Sequence, residues 1–173
     1  PLAILGKMFD KRRWVEEAIY QFLQHLHYLS DRQSGLWYHG WHFAGRHHFA
    51  GALWARGNSW ITLAIPELLE MLDLDEHDAV YRQLQNTLQI QVAALARCQS
   101  DNGLWPTLLN DSDSYLEASA TAGFAAGIFK AIRLGYLNAH YLPVAERACQ
   151  GIIDHISPQG ELLQVSFGTA MGH

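Results

Sequence analysis

The residues best suited to chemistry are concentrated at 35–60, which reads GLWYHGWHFAGRHHFAGALWARGNSW. This stretch holds Trp37, Trp41, Trp54 and Trp60, four of the protein's six tryptophans, and His39, His42, His47 and His48, four of its ten histidines. It also holds Arg46 and Arg56 and no acidic residue, in a chain whose formal net charge is -5. Trp and Tyr offer flat apolar faces with a polar edge, and Arg offers a planar donor fork that matches a carboxylate. Those are the parts of a site for a carbohydrate or a small anion. An aromatic-rich loop plugging the end of a helical domain would draw on the same residue types. His39 and His42 have a spacing that some metal sites use, but no cysteine or carboxylate lies near them and the loop lacks a helical i, i+4 pair. The expectation is no metal and no cofactor.

The elements that must position these residues read as helices. Over 10–29 the apolar residues Trp14, Ala18, Phe22, Leu26 and Leu29 recur at helical spacing, opposite Arg12, Arg13, Glu16, Glu17 and Gln21. That is the pattern of an outer, half-solvated helix. A second helix, over 56–72, is apolar nearly all round and therefore buried, with a kink or late start expected at Pro66. Asp75 and Asp78 read as an N-cap and an acidic first turn for a third helix ending near Gln99, again with one wet face. The stretch 114–134 is rich in Ala, Gly and Phe, and small residues let a helix approach its neighbours closely, so this one reads as inner. Asn138 is placed to cap a last helix over 139–156, with Leu142, Ala145, Cys149, Ile152 and Ile156 as its stripe. The order is outer, inner, outer, inner, outer.

A repeat runs through this order. Each outer helix is followed by a glycine turn and an apolar sequel: Ser34-Gly35-Leu36-Trp37, Asn102-Gly103-Leu104-Trp105 and Gln159-Gly160-Glu161-Leu162. Self-similarity at the period of a helical hairpin marks a stacked array of helix pairs. Alternating inner and outer helices fit a closed α/α toroid better than an open solenoid. Too few hairpins are present to close a ring. The expectation is thus an all-α chain, a single domain over 1–173, forming part of a larger toroid and incomplete at both ends.

In a toroid every outer-to-inner connection opens on the same face. The first would bring His39, Trp41, His42, Trp54, Arg56 and Trp60 to that face, the second Trp105, Tyr115 and Glu117, and the third Gly168 and Thr169. Inner helix N-termini add partial positive charge there, which favours an anionic ligand. Arg56, at a helix start between Trp54 and Trp60, is placed to grip a carboxylate beside an apolar sugar face. Other roles fit the same residues: Trp60 can be core, Arg56 can pair with Glu117, and Glu117 can cap its helix.

Composition narrows the classes. With 49% hydrophobic residues the chain can bury one sizeable core, and 17% charged residues is too few for a disordered segment. The acidic balance argues against nucleic acid as a partner, because phosphate binding leaves a basic footprint. Cys98 and Cys149 fall within helical patterns and read as buried free thiols in a reducing compartment. No signal segment and no apolar run near about 18 residues is visible, so the expectation is a cytoplasmic protein without membrane contact.

The runs Gly-Leu-Trp-Tyr-His-Gly-Trp at 35–41, Trp-Ala-Arg-Gly-Asn-Ser-Trp at 54–60, Leu-Glu-Ala-Ser-Ala-Thr-Ala at 116–122 and Val-Ser-Phe-Gly-Thr at 165–169 together resemble the unsaturated rhamnogalacturonyl hydrolases of glycoside hydrolase family 105. The unsaturated glucuronyl hydrolases are more distant relatives. The resemblance implies a ring of six α-hairpins, an (α/α)6 toroid. It also implies a substrate whose non-reducing end is a 4,5-unsaturated uronic acid, as in rhamnogalacturonan fragments left by a lyase. An acidic side chain protonates C4 of the enol ether and activates water for C5; the hemiketal then opens and releases the unsaturated sugar. Residue by residue, His39 matches the family's sugar-binding histidine, Arg56 its carboxylate-binding arginine and Trp60 its stacking tryptophan, with Trp54 beside them. The resemblance implies that the acid/base aspartate precedes Pro1, so the catalytic residue is expected outside these 173 residues. Trp41, His42 and Thr169 complete the expected substrate-binding set. Two other readings stay open: a sugar epimerase of the α/α-toroid kind using histidines as acid and base, and a non-catalytic helical-repeat module binding carbohydrate or protein. The oligomeric state is not legible.

Overall fold

The computed structural model describes residues 1–166. Six helices run in chain order: α1 (Leu2–Met8), α2 (Arg12–Leu29), α3 (Ala55–Leu72), α4 (Ala79–Cys98), α5 (Ala118–Arg133) and α6 (Leu142–Ile153). They pair as three hairpins. Inner helix α3 packs along α5 and meets α1, while α2, α4 and α6 lie behind α1, α3 and α5 respectively. The chain is a mostly helical part of an (α/α)6 toroid. Its only sheets among the described residues are two antiparallel ladders in the connections: β1 (Trp41–His42) with β2 (His47–His48), and β3 (Trp105–Leu108) with β4 (Asp111–Glu117). No helix among the described residues is long and apolar enough to cross a membrane.

The inner and outer assignments hold. Helix α2 buries no residue fully, whereas α3 buries Ala55, Asn58, Thr62, Ile65, Leu69 and others. Small residues do set the closeness of α5 to α3. A Cβ on Gly127 would overlap the Thr62 carbonyl, and one on Gly123 would come within 2.9 Å of Ser59 Cβ. Trp105 and Phe124, both fully buried, meet edge to face with centroids 4.9 Å apart and anchor the core between β3 and α5.

The three glycine turns share one glycine conformation, and the second and third share their hydrogen bonds as well. Gly35, Gly103 and Gly160 have φ of 83°, 86° and 85°, a region that favours glycine. The amides of Gly103 and Gly160 donate to the carbonyls of Ser100 and Ser157, and the Ser100 and Ser157 amides donate to the carbonyls of Leu104 and Glu161, all within 2.8–2.9 Å. The first turn has one residue more, with Gly35 donating to Asp31 and Asp31 to Leu36. The Asp31 carboxylate closes that turn by accepting from Ser34 Oγ at 2.6 Å and from the amides of Ser34 and Gln33. Burial works against its charge, but these donors outweigh it and hold the carboxyl below its usual range.

Several boundaries differ from the sequence expectations. Helix α2 starts at Arg12, because Asp10 turns left-handed at φ 50°. Helix α3 runs unbroken through Pro66 and does not start late. Asp78, not Asp75, caps α4, accepting from Val80 and Tyr81; Asp75 closes the preceding turn through the His77 amide, and the first helical turn carries no acidic residue. Residues 114–117 are strand rather than helix, since they alternate in β4 against β3 and the Ala-rich pattern begins only at Ala118. Before α6, Asn138 caps a short 3-10 turn (Ala139–Tyr141), and Pro143, which has no N–H to donate, sits in the first turn of the α-helix that follows. The buried face of α6 is Val144, Ala145, Ala148 and Gly151, rotated from the expected stripe, because Gly151 lies against the Asn102 carbonyl of the second turn. Cys98 and Cys149 are free thiols but only half-buried, and burial pushes the Cys98 thiol up.

Candidate carbohydrate site

The three outer-to-inner connections meet at one end of the helices. Leu109 N–H donates to Leu53 C=O, Trp54 pairs with Leu108, and Ala118 N–H donates to Gln164 C=O, each linking one connection to the next. The first connection is clamped by Asn58, fully buried in α3. Its Oδ1 accepts from Trp37 N–H at 2.8 Å, and its Nδ2 donates to Trp37 C=O at 2.8 Å and to Trp54 C=O at 3.0 Å. Gln91 of α4, equally buried, donates to the Asn58 carbonyl and accepts from Thr62 Oγ1. One side chain thus pairs with Trp37 as a neighbouring strand would, and fixes where His39 leaves the turn.

His39 stands edge-on to Trp54, with ring centroids 5.0 Å apart. Trp54 is the extended residue before α3, and the Arg56 guanidinium lies over its ring at 5.0 Å, a cation–π distance. Arg56 also donates through a terminal guanidinium nitrogen to the Ser166 carbonyl at 3.1 Å, so the third connection is tied to the first. Trp60 follows Arg56 by one helical turn on α3 and is 66% exposed, so a place in the core does not account for it. His39, Trp54, Arg56 and Trp60 therefore form one cluster at the N-terminal end of an inner helix, with an aromatic face, an imidazole edge and a donor fork.

The other expected residues fall elsewhere. Trp41 is packed between Tyr28 and His48, at centroid distances of 5.7 and 4.9 Å, in the hairpin beside the cluster. His42 lies on the opposite face of that hairpin, exposed beside His47 and Phe49. Trp105 is core: its ring is fully buried and Nε1 donates to Leu95 C=O. Tyr115 is exposed on β4. Glu117 is fully buried and caps α5, accepting from Ala120 N–H at 2.6 Å, from Ser119 through its Oγ, and from Ser166 N–H at 3.1 Å. It reaches the cluster through Ser166, whose amide it binds while the Ser166 carbonyl takes Arg56. Gly168 and Thr169 lie outside the described residues. Among those residues no group of three or more His, Cys, Asp or Glu side chains could hold a metal ion.

Sequence reasoning missed Asn58, Gln91 and Ser166 as positioning residues. The signal available was a polar side chain on an otherwise apolar helix face, Asn58 in α3 and Gln91 in α4; Ser166 had none. A separate cavity of about 630 Å3 between α2 and α4, lined by Leu26, His27, Asp31, Val80 and Ile90 among others, belongs to the outer surface and shares only the backside of the first turn with the site.

Inner helices backed by outer ones, with aromatic rings and an arginine where the connections converge, define an α/α-toroid protein with a candidate site at those connections. The profile of Glycosyl Hydrolase Family 88 matches residues 1–173, and the chain belongs to that family. It is similar to the unsaturated rhamnogalacturonyl hydrolase YesR of Bacillus subtilis, 30% identical over 167 residues that cover 96% of this chain and 46% of the relative. It is also similar to the crystal structure of a possible member of the GH105 family from Klebsiella pneumoniae, at 61% identity and a TM-score of 0.98, over 99% of this chain and 45% of that one. The fold is shared with the unsaturated glucuronyl hydrolase of Bacillus sp. GL1, at 16% identity and a TM-score of 0.76, over 98% of this chain and 48% of that one. The chain spans about half the length of these relatives.

Proposed function

We propose that this chain supplies the uronyl-binding part of a glycosidase that acts on 4,5-unsaturated uronyl residues at the non-reducing end of lyase-generated oligosaccharides, rhamnogalacturonan fragments among them. The observation that carries the reading is the cluster at the start of α3: Arg56 held over Trp54, with Trp60 exposed one turn on and the His39 edge beside them. The name of the relative YesR supports the same substrate class.

In this reading Arg56 holds the uronate carboxylate through charge-assisted hydrogen bonds, and Trp60 covers a face of the sugar ring. His39 hydrogen-bonds a ring hydroxyl. The partial positive charge of the α3 N-terminus adds to the attraction for the anion. The hydration of the double bond needs an acid to protonate C4 and a water delivered to C5. No residue of this chain is assigned that role. Glu117, the buried carboxylate nearest the cluster, is occupied as a helix cap. The acid is contributed by residues outside this chain, in the cytoplasm, without a cofactor.

Loss of the absorbance of the conjugated double bond is the assay. The protein at its natural length is expected to turn over an unsaturated galacturonyl disaccharide and to leave the saturated analogue untouched. The 173-residue chain alone is expected to turn over neither. Turnover of the saturated sugar would refute the double-bond chemistry, and robust turnover by the chain alone would mean that the acid lies within it.

A further inference from the structure

Side chains cap three helix starts among the described residues, and one of the three is of an unusual kind. Asp78 at α4 and Asn138 at the 3-10 turn are short and bond to amides of their own first turn, Val80 and Tyr81 in one case and His140 in the other. Short side chains suit that place, and Ser, Thr, Asp and Asn are the usual choices. Helix α5 has Glu117 instead. Its carboxylate is fully buried, and a charge in such a place is costly unless it is paired or well hydrogen-bonded. A shorter cap would satisfy the first turn of α5 as well. Capping alone therefore does not account for a glutamate here.

What the longer side chain adds is reach. Besides its bonds to Ser119 and Ala120, Glu117 Oε1 accepts from Ser166 N–H at 3.1 Å, across 49 residues of chain. The base of the side chain is fixed. Glu117 pairs with Trp105 in the β3–β4 ladder, and its carbonyl accepts from Thr121 Oγ1, which in turn accepts from Trp105 N–H. Ala118 N–H donates to Gln164 C=O, so the start of α5 holds the third connection at two points, Gln164 and Ser166. The second point is the residue whose carbonyl takes the Arg56 guanidinium at 3.1 Å. Ser166 serves through its main chain: its hydroxyl is buried and has no hydrogen-bond partner among the described residues. Arg56 is thus held from two sides, by the Trp54 ring of the first connection and by the third connection that Glu117 anchors.

We infer that Glu117 is a positioning residue for the anion site: by fixing Ser166 it sets where the Arg56 fork stands, and so acts on a ligand that it does not touch. This rests on the reading of the α3 cluster as the uronyl site. A free arginine side chain has many rotamers, and freezing them when a ligand arrives weakens binding. A fork already held in place meets the carboxylate without that loss. The substrate keeps its carboxylate throughout the reaction, so the gain is shared by ground state and transition state and belongs to KM rather than kcat.

The test uses the protein at its natural length and the methyl glycoside of unsaturated galacturonic acid. Glu117→Asp keeps a good cap and its charge but draws the carboxylate back from Ser166 by one methylene. Glu117→Gln keeps the length, but its single oxygen cannot face both Ala120 and Ser166. Circular dichroism confirms that each variant folds. Each is expected to raise KM about three- to tenfold with kcat nearly unchanged, whereas a smaller folded fraction would lower kcat and leave KM alone. In an Arg56→Ala background the same substitutions should change KM less than about twofold, because they act through that arginine. Asp78→Ala, which uncaps the outer helix α4, is the control: it should lower Tm and leave KM as it was. One readout needs no substrate. The NMR signal of Arg56 Nε–H is displaced by the Trp54 ring, and both Glu117 variants should move it toward that of a free arginine. An unchanged KM, or an equal rise in the Arg56→Ala background, overturns the inference. If Arg56→Ala itself keeps near-normal kcat/KM, the uronyl reading falls and the Nε–H signal decides the positioning role alone: a shift upholds it and a fixed signal overturns it.

Discussion

Gly127 of α5 is pressed against the main-chain carbonyl of Thr62 on α3, with no room between them for even a methyl group. Four residues beyond Thr62 is Pro66, which has no N–H to offer that carbonyl. The proline and the glycine thus belong to one contact: the carbonyl left without its helical donor is the one covered by the closest approach of the neighbouring inner helix. Gly→Ala inside a helix ordinarily stabilises by up to about 1 kcal/mol. Here the sign should reverse. Gly127→Ala is expected to destabilise by roughly 1–3 kcal/mol, the usual cost of overpacking, read as a fall in the urea midpoint. An unchanged or raised midpoint would show that α3 and α5 can move apart freely.

Asn58 makes both hydrogen bonds that Trp37 would make to a neighbouring strand. Asn58→Ala leaves a buried N–H and a buried C=O of Trp37 without partners, and Gln91 with fewer. At about 1–3 kcal/mol for each group so stranded, a loss of roughly 2–6 kcal/mol in unfolding free energy is expected. Asn58→Asp keeps the acceptor but turns a carboxylate oxygen toward the Trp37 and Trp54 carbonyls in a fully buried place, and should cost at least as much as Asn58→Ala. A cost below about 0.5 kcal/mol would mean that water takes over the clamp.

Arg56→Ala should cut kcat/KM on an unsaturated uronide by roughly ten- to a few-hundred-fold, since a hydrogen bond to a charged group is worth about 1.5–3 kcal/mol. Arg56→Lys keeps the charge but loses the planar fork and its seat on Trp54, and should still be impaired. Near-normal kcat/KM in Arg56→Ala would remove Arg56 as the carboxylate ligand, and near-normal kcat/KM in Arg56→Lys would remove only the need for the planar fork. If the alanine variant instead loses its circular dichroism signal, the tie to Ser166 is the residue's main task.

At the other end of the inner helices, Lys130 of α5 lies 2.6 Å from both Glu67 and Glu70 of α3. The hydrogen bond from Lys130 holds the Glu70 carboxyl below its ordinary value of 4.5. Partial burial works against the Lys130 ammonium, but the two carboxylates outweigh it and hold it above its ordinary 10.5. A lowered acid contributes above its unfolded pKa and fades as pH falls through the folded one; a raised base contributes below its unfolded pKa and fades as pH rises through the folded one. The triad should therefore stabilise fully between about pH 4.5 and 10.5 and weaken outside that window. Because both carboxylates are substantially exposed, the effect is small and salt-sensitive. Lys130→Met should lower Tm slightly at pH 7 and low salt, with the difference from wild type shrinking below pH 4; a difference that grows on acidification would contradict the pairing.

The parts of the fold that could be read in advance were those with a local cause. Gly35, Gly103 and Gly160 announced three equivalent turns because a positive φ selects glycine whatever surrounds it. Gly123 and Gly127 announced an inner helix because only small residues permit such closeness. Residues 114–117 could not be read as strand, since their pairing partner in β3 is a tertiary matter that local propensity does not record. At the site, Trp54, Arg56 and Trp60 share a helix start and could be placed by spacing alone. Trp41 and Trp105 could not be told from them by type, and what separates them is contact: the rings of Tyr28 and His48 in one case, the Leu95 carbonyl in the other.

The hydrogen bond from Arg56 to Ser166 closes a loop of 110 residues. Contacts so distant in sequence form only after the intervening chain has lost its freedom, so they come late in folding and open early in native fluctuations. The mouth of the site is thus expected to assemble late, by a strap that joins the third connection to the first. Amide exchange at Ser166 should proceed through a smaller opening than at Ile65 or Leu69 in the middle of α3. An anion seated on Arg56 would slow it, making ligand binding and completion of the fold one coupled event.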